Sequence, residues 1–550
     1  MSPDSPEGRA ENPTPDDELS KHAPSTPIPP HQLDPRFYYA ALLLVILLVA
    51  GIRFHLRTMP LERDEGEYAY AGQLILQGIP PYALAYNVKL PGTYAAYAAI
   101  MAVFGQTATG IRLGLLLIDA ATIVLVFVLA QRLAGPLAGF VAGTTYAALS
   151  NLPSVLGFAG HATHFVALFA VAGILILLRA LNAGRGPLLF FSSGLLLSVA
   201  FLMKQPGIAF AAFGALYIAR CSWRQPRLLA SREVAYLAGV ALPFALTCLA
   251  LSRAGVFQNF WFWTFTYARE YSSETSLATG WQALKQSLQW VLHPFPLWAI
   301  AEIGLVTLFW DRRWRPQLFF LVTLTVFSLM AVSAGFYFRP HYFILLLPAA
   351  SLLAGLAVTS AYRFLAQRRF PASARMIPLL IFIVACAFSL WDQRAFLFEP
   401  NPAAAAQKIY AANPFAEAIW AAKIVRASTT EADTIAVFGS EPEFYFLSAR
   451  HSATSYIYMY DLIKTQPYQL QMRQEMMRQI ETARPRVVIY VDDWASWGWR
   501  RGQEQDEFFA WMEHYIHDNY EPIQQIPINA LPAHRWGEAA KLYLFRRTEP

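Results

Sequence analysis

Charge is scarce in this 550-residue chain. Asp, Glu, Lys and Arg make up only 15% of it, against roughly 25% in an ordinary soluble domain. A chain so short of charge cannot coat three or four water-soluble domains. Apolar residues at 56% and aromatics at 15% indicate a membrane protein. Cysteine is nearly missing: Cys221, Cys248 and Cys386 are the three, all in or beside apolar runs, so the polar segments have no disulfide available to them. No basic face able to track nucleic acid is present, since the net charge of +6 is modest and the Lys and Arg residues cluster in short loops. A nucleotide-binding loop, a cofactor fingerprint and a second copy of any motif are also lacking, so neither bound-nucleotide chemistry nor a duplicated architecture is suggested.

What is present is a succession of apolar runs. Residues 1–36 are rich in Pro, Ser and Asp and cannot bury enough apolar surface to order themselves, which predicts a disordered cytoplasmic tail. The run that follows has no small-residue cleavage site and reads as an anchor. About eleven runs approach the ~20 residues that cross a bilayer. They centre on 37–56, 111–131, 137–153, 162–179, 188–203, 206–219, 234–252, 290–310, 317–334, 342–361 and 376–391. The fifth and sixth are short and read either as a hairpin or as one kinked span. Alternate loops carry Arg179 and Arg185, then Arg220, Arg224, Arg227 and Arg232, then Arg312, Arg313 and Arg315, then Arg363, Arg368, Arg369 and Arg375. That bias puts these loops in the cytoplasm and 57–110, 253–289 and everything after 392 outside. Arg53 and Arg57, after the first span, point the other way.

The first outer segment opens with "LERDEGEYAYAGQ", which places Glu62, Asp64, Glu65 and Glu67 within six positions. Tyr68, Ala71, Leu74, Ile75 and Gly78 follow helical spacing, which predicts a short amphipathic helix lying on the membrane. A second is predicted from Thr93 to Phe104. Acids at a helix start complement its dipole by ~0.3–1 kcal/mol, which accounts for Glu65 and Glu67 without requiring four carboxylates.

The stretch "RDEGEYAYAGQLILQGIPPYALAYNVKLPG", residues 63–92, resembles the first external loop of membrane glycosyltransferases with the GT-C fold. More narrowly it resembles the bacterial group related to protein O-mannosyltransferases, aminoarabinose transferases and Rgt-type galacturonosyltransferases of lipopolysaccharide. The agreement extends through "FLMKQPG" (201–207) and "FRPHYFILLLPA" (338–349), so it covers roughly 38–390. The resemblance implies a polytopic α-helical protein of the bacterial inner membrane, and the basic-loop bias above puts its N-terminus in the cytoplasm. It implies inverting transfer of a sugar from a polyprenyl-phosphate donor to an acceptor hydroxyl on a glycolipid, glycan or protein of the cell envelope, at the outer face. By analogy Asp64 is the general base and Glu65 supports it. The chemistry also follows directly: the attacking hydroxyl must lose a proton, and a carboxylate opposite the leaving phosphate can take it.

A leaving phosphate needs cations at headgroup height. Lys204 follows an apolar run of about 16 residues, ~24 Å at helical rise, and so sits near the outer boundary, where it serves either as a phosphate ligand or as a snorkelling helix end. Arg339 and His341 form a second phosphate candidate, Arg being the better bidentate partner, with interface anchoring as the alternative. Lys89 completes the donor-phosphate set. Substrate contacts are assigned to Glu67, Tyr82, Gln205 and Tyr342 in the resembling motifs, and to His161, His164 and Arg269. His161 and His164 lie three apart on one helix face, where relatives often have an acid. They read as hydrogen-bonding groups, as interhelical packing, or as ligands of a divalent metal shared with Asp64 or Glu65. No cofactor is otherwise expected. The aromatics of 259–276 suit sugar stacking or an interfacial belt.

Residues 392–550 change character. "TIAVFG" (434–439), "EFYFLSA" (443–449), "RVVIYVDD" (486–493) and "KLYLFRR" (541–547) read as strands, with helices near 468–483 and 506–518, and together predict an extracytoplasmic α/β domain. Asp492 and Asp493 at a strand end read as solvated. A transporter or flippase of a lipid-linked sugar is the alternative function, although such proteins usually hold ionisable groups at the membrane midplane. A noncatalytic scaffold would leave the first-loop motif unexplained.

Overall fold

Asp34 sets the first helix: its side chain accepts from the Arg36 N–H at 2.8 Å and Pro35 occupies the first turn, so Pro35–His55 begins where polar sequence meets apolar. This computed structural model describes residues 34–182, 186–411, 413–498, 507–528 and 540–548. The expected tail, apart from its last three residues, and Arg185 lie outside the described residues.

Every apolar run is helical. The helices are Pro35–His55, Ala108–Ala134, Pro136–Leu149, Ala162–Asn182, Pro187–Met203, Ile208–Ser222, Pro226–Arg253, Pro296–Trp310, Arg315–Val332, Leu347–Gln367 and Ile377–Asp392. Among the described residues, six helices are long and apolar enough to cross a membrane, or seven if Leu277–Val291 and Pro296–Trp310, bent by 112°, form one span. The chain is a multi-pass membrane protein. The eighth run starts at Pro296 instead of 290 because Pro294 and Pro296 interrupt it. The fifth and sixth runs are separate helices: Lys204 leaves the first in an extended conformation, and a tight turn, Gln205–Gly207, leads into the second.

Small residues let the helices approach closely. A Cβ on Gly194 would lie 2.1 Å from the Tyr236 carbonyl, and one on Gly239 would lie 2.0 Å from that of Phe191, so Pro187–Met203 and Pro226–Arg253 pack backbone to backbone. Deeper in the bundle, Arg53 donates to Asp119 at 3.2 Å and to the Gly157 carbonyl at 2.9 Å, while Ser150 and Asn151 donate to the same carboxylate. The Arg53 side chain is 3% exposed. It is therefore a buried ion-pair partner and not a loop charge, which explains why it disagrees with the basic loops.

Those loops gather at one end, where Arg363 donates to the Ala134 carbonyl and lies over Trp314, and Arg313 donates to Gln367. At the other end, segments 57–110 and 253–289 meet the C-terminal region: Tyr86 stacks on Trp263, its N–H donates to Ser455 O at 2.7 Å, and Tyr267 donates to Asp461 at 3.0 Å.

The C-terminal region holds a five-stranded sheet of β1 (Thr434–Phe438), β2 (His451–Ser452), β3 (Val487–Asp492), β4 (Tyr520–Pro527) and β5 (Lys541–Arg547), in the order β2-β1-β3-β5-β4. β1 pairs parallel with β2 and β3, and β5 pairs antiparallel with β3 and β4. Helices Gln469–Ala483 and Glu507–Asn519 match expectation. "EFYFLSA" does not, because Glu443–Ser448 is a helix. Buried from Glu443 to Phe446, it shows neither a two-residue nor a helical period in sequence. β4 was not expected either, since Pro522 and Pro527 argue against a strand except at an edge, and an edge is where it lies, with a bulge at Pro522.

Helix Arg63–Leu76 is not amphipathic in the expected sense. Residues 65–74 are all buried, because helix Gly92–Phe104 covers one face and Glu443–Ser448 the other. A Cβ on Gly66 would lie 2.6 Å from that of Glu443.

Asp119→Ala should strand Arg53 in the bundle and lower stability by about 3–5 kcal/mol. Unfolding midpoints of the detergent-solubilised protein measure this, and an unchanged midpoint would remove the pair from the structural framework.

Candidate active site

Four acids in six positions divide into distinct tasks. Glu62 and Glu65 close a capping box on helix Arg63–Leu76: the Glu65 N–H donates to Glu62 Oε1 at 2.9 Å and the Glu62 N–H to Glu65 Oε2 at 3.3 Å. Glu65 is fully buried. It also accepts from both terminal nitrogens of Arg112, at 2.7 Å to Oε2, and from the Gly160 N–H at 2.5 Å. Arg112 in turn donates to the Phe158 and Pro60 carbonyls. Glu65 thus faces the bundle and has no spare acceptor for a substrate, and its support of Asp64 is by fixing the helix that carries it.

Asp64 points the other way, into a cavity of about 660 Å³ between the bundle and the C-terminal domain. Its side chain is 24% exposed and accepts from Lys89 Nζ at 2.8 Å. Lys89 also donates to Glu67 at 2.5 Å, and Glu67 accepts from Tyr94 at 2.5 Å and from Tyr458 of the C-terminal domain at 3.0 Å. Glu67 is buried and positions Lys89. Tyr82 donates to the Lys89 carbonyl at 2.7 Å and Gln205 to that of Val88 at 2.5 Å, so both hold the lysine's backbone and neither lines the cavity.

Arg339 and His341 line the same cavity with Asp64, Lys89 and His161. Lys204 lies just behind, its ammonium 3.9 Å above the Tyr342 ring. The His161 and His341 rings stack at 4.0 Å, inclined by 10°, and His161 Nδ1 is 3.7 Å from Asp64 Oδ2. His164 is buried one turn into its helix and does not line the cavity. Arg269 is exposed and also lies off it, whereas Tyr271 from the same segment lines it. The neighbouring aromatics Trp263 and Tyr267 pack against Tyr456 and Tyr468 of the C-terminal domain. Sequence reasoning overlooked Arg112, Tyr94, Tyr271, and the C-terminal wall of Tyr458, Tyr460, Asp461 and Lys464.

Charge in the cavity is strongly biased. Burial pushes the Asp64 carboxyl up, but Lys89 above all, with His161 and Arg339 adding smaller contributions, holds it well below the usual carboxylate range, so it is ionised. Burial, with Asp64 opposing, pushes His161 down to about 3, and burial lowers His341 as well, so both are neutral at pH 7. Burial, with Lys89 and Arg339 adding to it and Asp64 opposing, pushes the Lys204 ammonium down to about 7. On the C-terminal side Glu441 accepts from Arg63 at 2.7 Å, while burial and then Glu441 push Glu443 up to about 8.

Residues 89–252 match a family model described as dolichyl-phosphate-mannose-protein mannosyltransferase. The fold is similar to that of ArnT from Cupriavidus metallidurans bound to undecaprenyl phosphate, with a TM-score of 0.58 and 16% identity over 92% of this chain and 98% of that one. Archaeal oligosaccharyltransferase AglB from Archaeoglobus fulgidus, in complex with an inhibitory peptide and a dolichol-phosphate, aligns with a TM-score of 0.49 and 12% identity over 90% of this chain and 74% of its own. No curated protein matches. The expected GT-C fold is what the chain adopts.

The division of tasks is testable by stability alone. Arg112→Ala leaves Glu65 buried and unpaired and should cost about 3–5 kcal/mol, whereas Asp64→Asn removes one arm of a half-open pair and should cost roughly 1 kcal/mol or less. Equal losses from the two variants would refute the distinction.

Proposed function

We propose that this chain is an inverting glycosyltransferase that moves one sugar from a polyprenyl-phosphate donor to an acceptor hydroxyl of a glycolipid, glycan or protein at the outer membrane-water boundary of a bacterial inner membrane. The observation that carries the reading is the convergence on one cavity of an ionised carboxylate, Asp64, with Lys89 and Arg339 and with Lys204 close behind.

In this reading the acceptor O–H gives its proton to Asp64 as its oxygen bonds to the anomeric carbon. The bond from that carbon to the phosphate oxygen breaks, its electron pair staying with the phosphate. A single displacement inverts the anomeric centre. Arg339 suits the leaving phosphate by its paired N–H donors, Lys89 and Lys204 by compact charge. Lys89 has a second task. It neutralises Asp64 in the free protein, and a phosphate that draws it away leaves the carboxylate a stronger base. The C-terminal domain closes the cavity with Tyr458 and Tyr460 and presents the acceptor, with Glu67 and Tyr94 keeping Lys89 within reach.

Purified protein supplied with polyprenyl-phosphate sugars should release polyprenyl phosphate, followed by mass spectrometry. Asp64→Asn should lower that rate by about 10²–10⁴, the usual value of a positioned base, and equal turnover would remove Asp64 from the role. Lys204 binds phosphate as the ammonium, which is present below its own pKa. Donor affinity should therefore weaken as pH rises through about 7, and Lys204→Arg should flatten the dependence. A pH-independent wild-type affinity would contradict the assignment, as would an unchanged donor KM in Lys204→Ala.

A further inference from the structure

We propose that helix Pro296–Trp310 docks a transmembrane helix of another membrane protein, one that carries a Lys or Arg at mid-bilayer depth, and that Glu302 receives that cation. Ala299, Glu302, Ile303, Val306, Thr307 and Trp310 recur at helical spacing and form one stripe along the helix. Together they line a groove of about 430 Å³ on the side turned away from the bundle. The opposite face is committed to packing. A Cβ on Gly304 would lie 2.0 Å from the Leu353 carbonyl, so this helix lies backbone to backbone against Leu347–Gln367.

The acid carries the argument. Glu302 lies near the middle of its 15-residue helix, ~9 Å along the axis from Pro296 and ~12 Å from Trp310 at helical rise. It is exposed, and among the described residues it has no hydrogen-bond or ion-pair partner. Lipid suits its neighbours Ile303, Val306 and Trp310, each more than half exposed. It does not suit a carboxyl group, and the short glutamate stem lacks the reach by which Lys and Arg snorkel to a headgroup. Acids buried in or against the bundle are paired, Asp119 with Arg53 and Glu65 with Arg112. Glu302 departs from that pattern, and an ionisable group at such depth marks a contact or a pathway. No polar path leads from it: apart from Thr307 the rest of the groove is apolar, and the Thr307 hydroxyl donates to the Ile303 carbonyl of its own helix at 2.7 Å.

Charge selects the occupant. A second copy of this chain in the same membrane presents its helices at the same depth, and each Lys and Arg of the bundle helices lies in the first or last quarter of its own helix. Two copies related by a two-fold axis through this stripe would set Glu302 against Glu302, like charge against like. Neither arrangement offers a cation at the right height, and a lipid headgroup offers one only at the boundary. A helix of a different chain with Lys or Arg midway along an apolar run has the converse need, a cation in hydrocarbon without an acceptor, and the pair satisfies both. Ala299, one turn from Glu302, admits a close approach of that helix, and Trp310 at the end of the stripe suits the membrane-water boundary.

The test uses no sugar substrate and does not depend on the transfer reaction proposed above. Dye-labelled full-length protein is placed in phosphatidylcholine vesicles and titrated, by fluorescence energy transfer, with labelled model peptides, each a leucine-rich transmembrane helix whose central residue is Lys, Leu or Glu. The Lys peptide should bind about 3- to 30-fold more tightly than the Leu peptide, the range that polar contacts between membrane helices give. Glu302→Gln should abolish that preference and leave the unfolding midpoint unchanged, because the carboxyl group has no partner among the described residues. Glu302→Lys should reverse it, so that the Glu peptide binds best. Equal binding of the Lys and Leu peptides to the wild type overturns the proposal, as does a Lys preference that survives Glu302→Gln. Energy transfer between differently labelled copies of the protein that Glu302→Gln removes overturns it in favour of self-association. The wild-type comparison is decisive alone, so a variant that fails to fold does not protect the idea.

Discussion

The buried Glu65–Arg112 pair is the constraint from which the rest of the site follows. Glu65 simultaneously closes the cap of its own helix, accepts two arms of a guanidinium from helix Ala108–Ala134, and takes the Gly160 N–H. These contacts fix the rotation of helix Arg63–Leu76 about its axis. Successive helical residues point ~100° apart, so once Glu65 is committed to the bundle, Asp64 must face the cavity. The loop that ends at His161 is tied down by the same carboxylate through Gly160. One buried acid thus sets both the carboxylate and the imidazole of the cavity, although it touches neither ligand nor solvent.

The C-terminal domain completes this arrangement. Gly66 and Glu443 are in backbone-range contact, the Tyr70 hydroxyl oxygen accepts from the Ser452 N–H at 2.9 Å, and Tyr458 donates to Glu67. An amphipathic helix on a membrane would leave Glu67, Tyr70 and Gln73 in water. Here they are under protein, and the polar face that looked solvated is an interdomain seam. Arg63 and Glu441 form a charge-assisted hydrogen bond across it, while Glu443, raised by burial, avoids carrying a second buried charge.

Local chemistry was legible in the sequence and distant pairing was not. Apolar runs gave every bundle helix, because a run of that length has few alternatives in lipid. Asp64, Lys89, His161, Arg339 and His341 were identified as candidates, and the structure brings them to one cavity. Glu65 and Glu67 were grouped with them because a run of acids does not reveal which faces outward. Arg112 left a signal that went unread: a lone Arg within "ATGIRLGLLLID" needs a buried partner, and so does Asp119 at the end of the same run, which pairs with Arg53. Tyr458 and Tyr460 left none. Their spacing of two in "SYIYMYD" suits any extended segment, and nothing local ties them to a helix some 390 positions earlier. Arg269 and His164 were misplaced for a related reason: a segment rich in aromatics or histidines does not say which member turns inward, and Tyr271 and His161 are the ones that do.

The pairing of Asp64 with Lys89 bears on how the proposed reaction avoids wasted turnover. An ionised, unpaired carboxylate beside an activated donor would as readily deprotonate water as an acceptor hydroxyl. In the free protein Lys89 and Arg339 hold Asp64 well below the usual carboxylate range, so it is a poor base before a donor arrives. A phosphate entering near Lys89 competes for its ammonium with a stronger charge than a single carboxylate offers, and Glu67 and Tyr94 restrict how far the lysine can move. Basicity at Asp64 then rises only when the leaving group is in place. The same geometry explains a lysine shared between two acids where one acid would have sufficed for an ion pair: Glu67 retains Lys89 at the cavity wall while its partnership shifts from Asp64 to the phosphate.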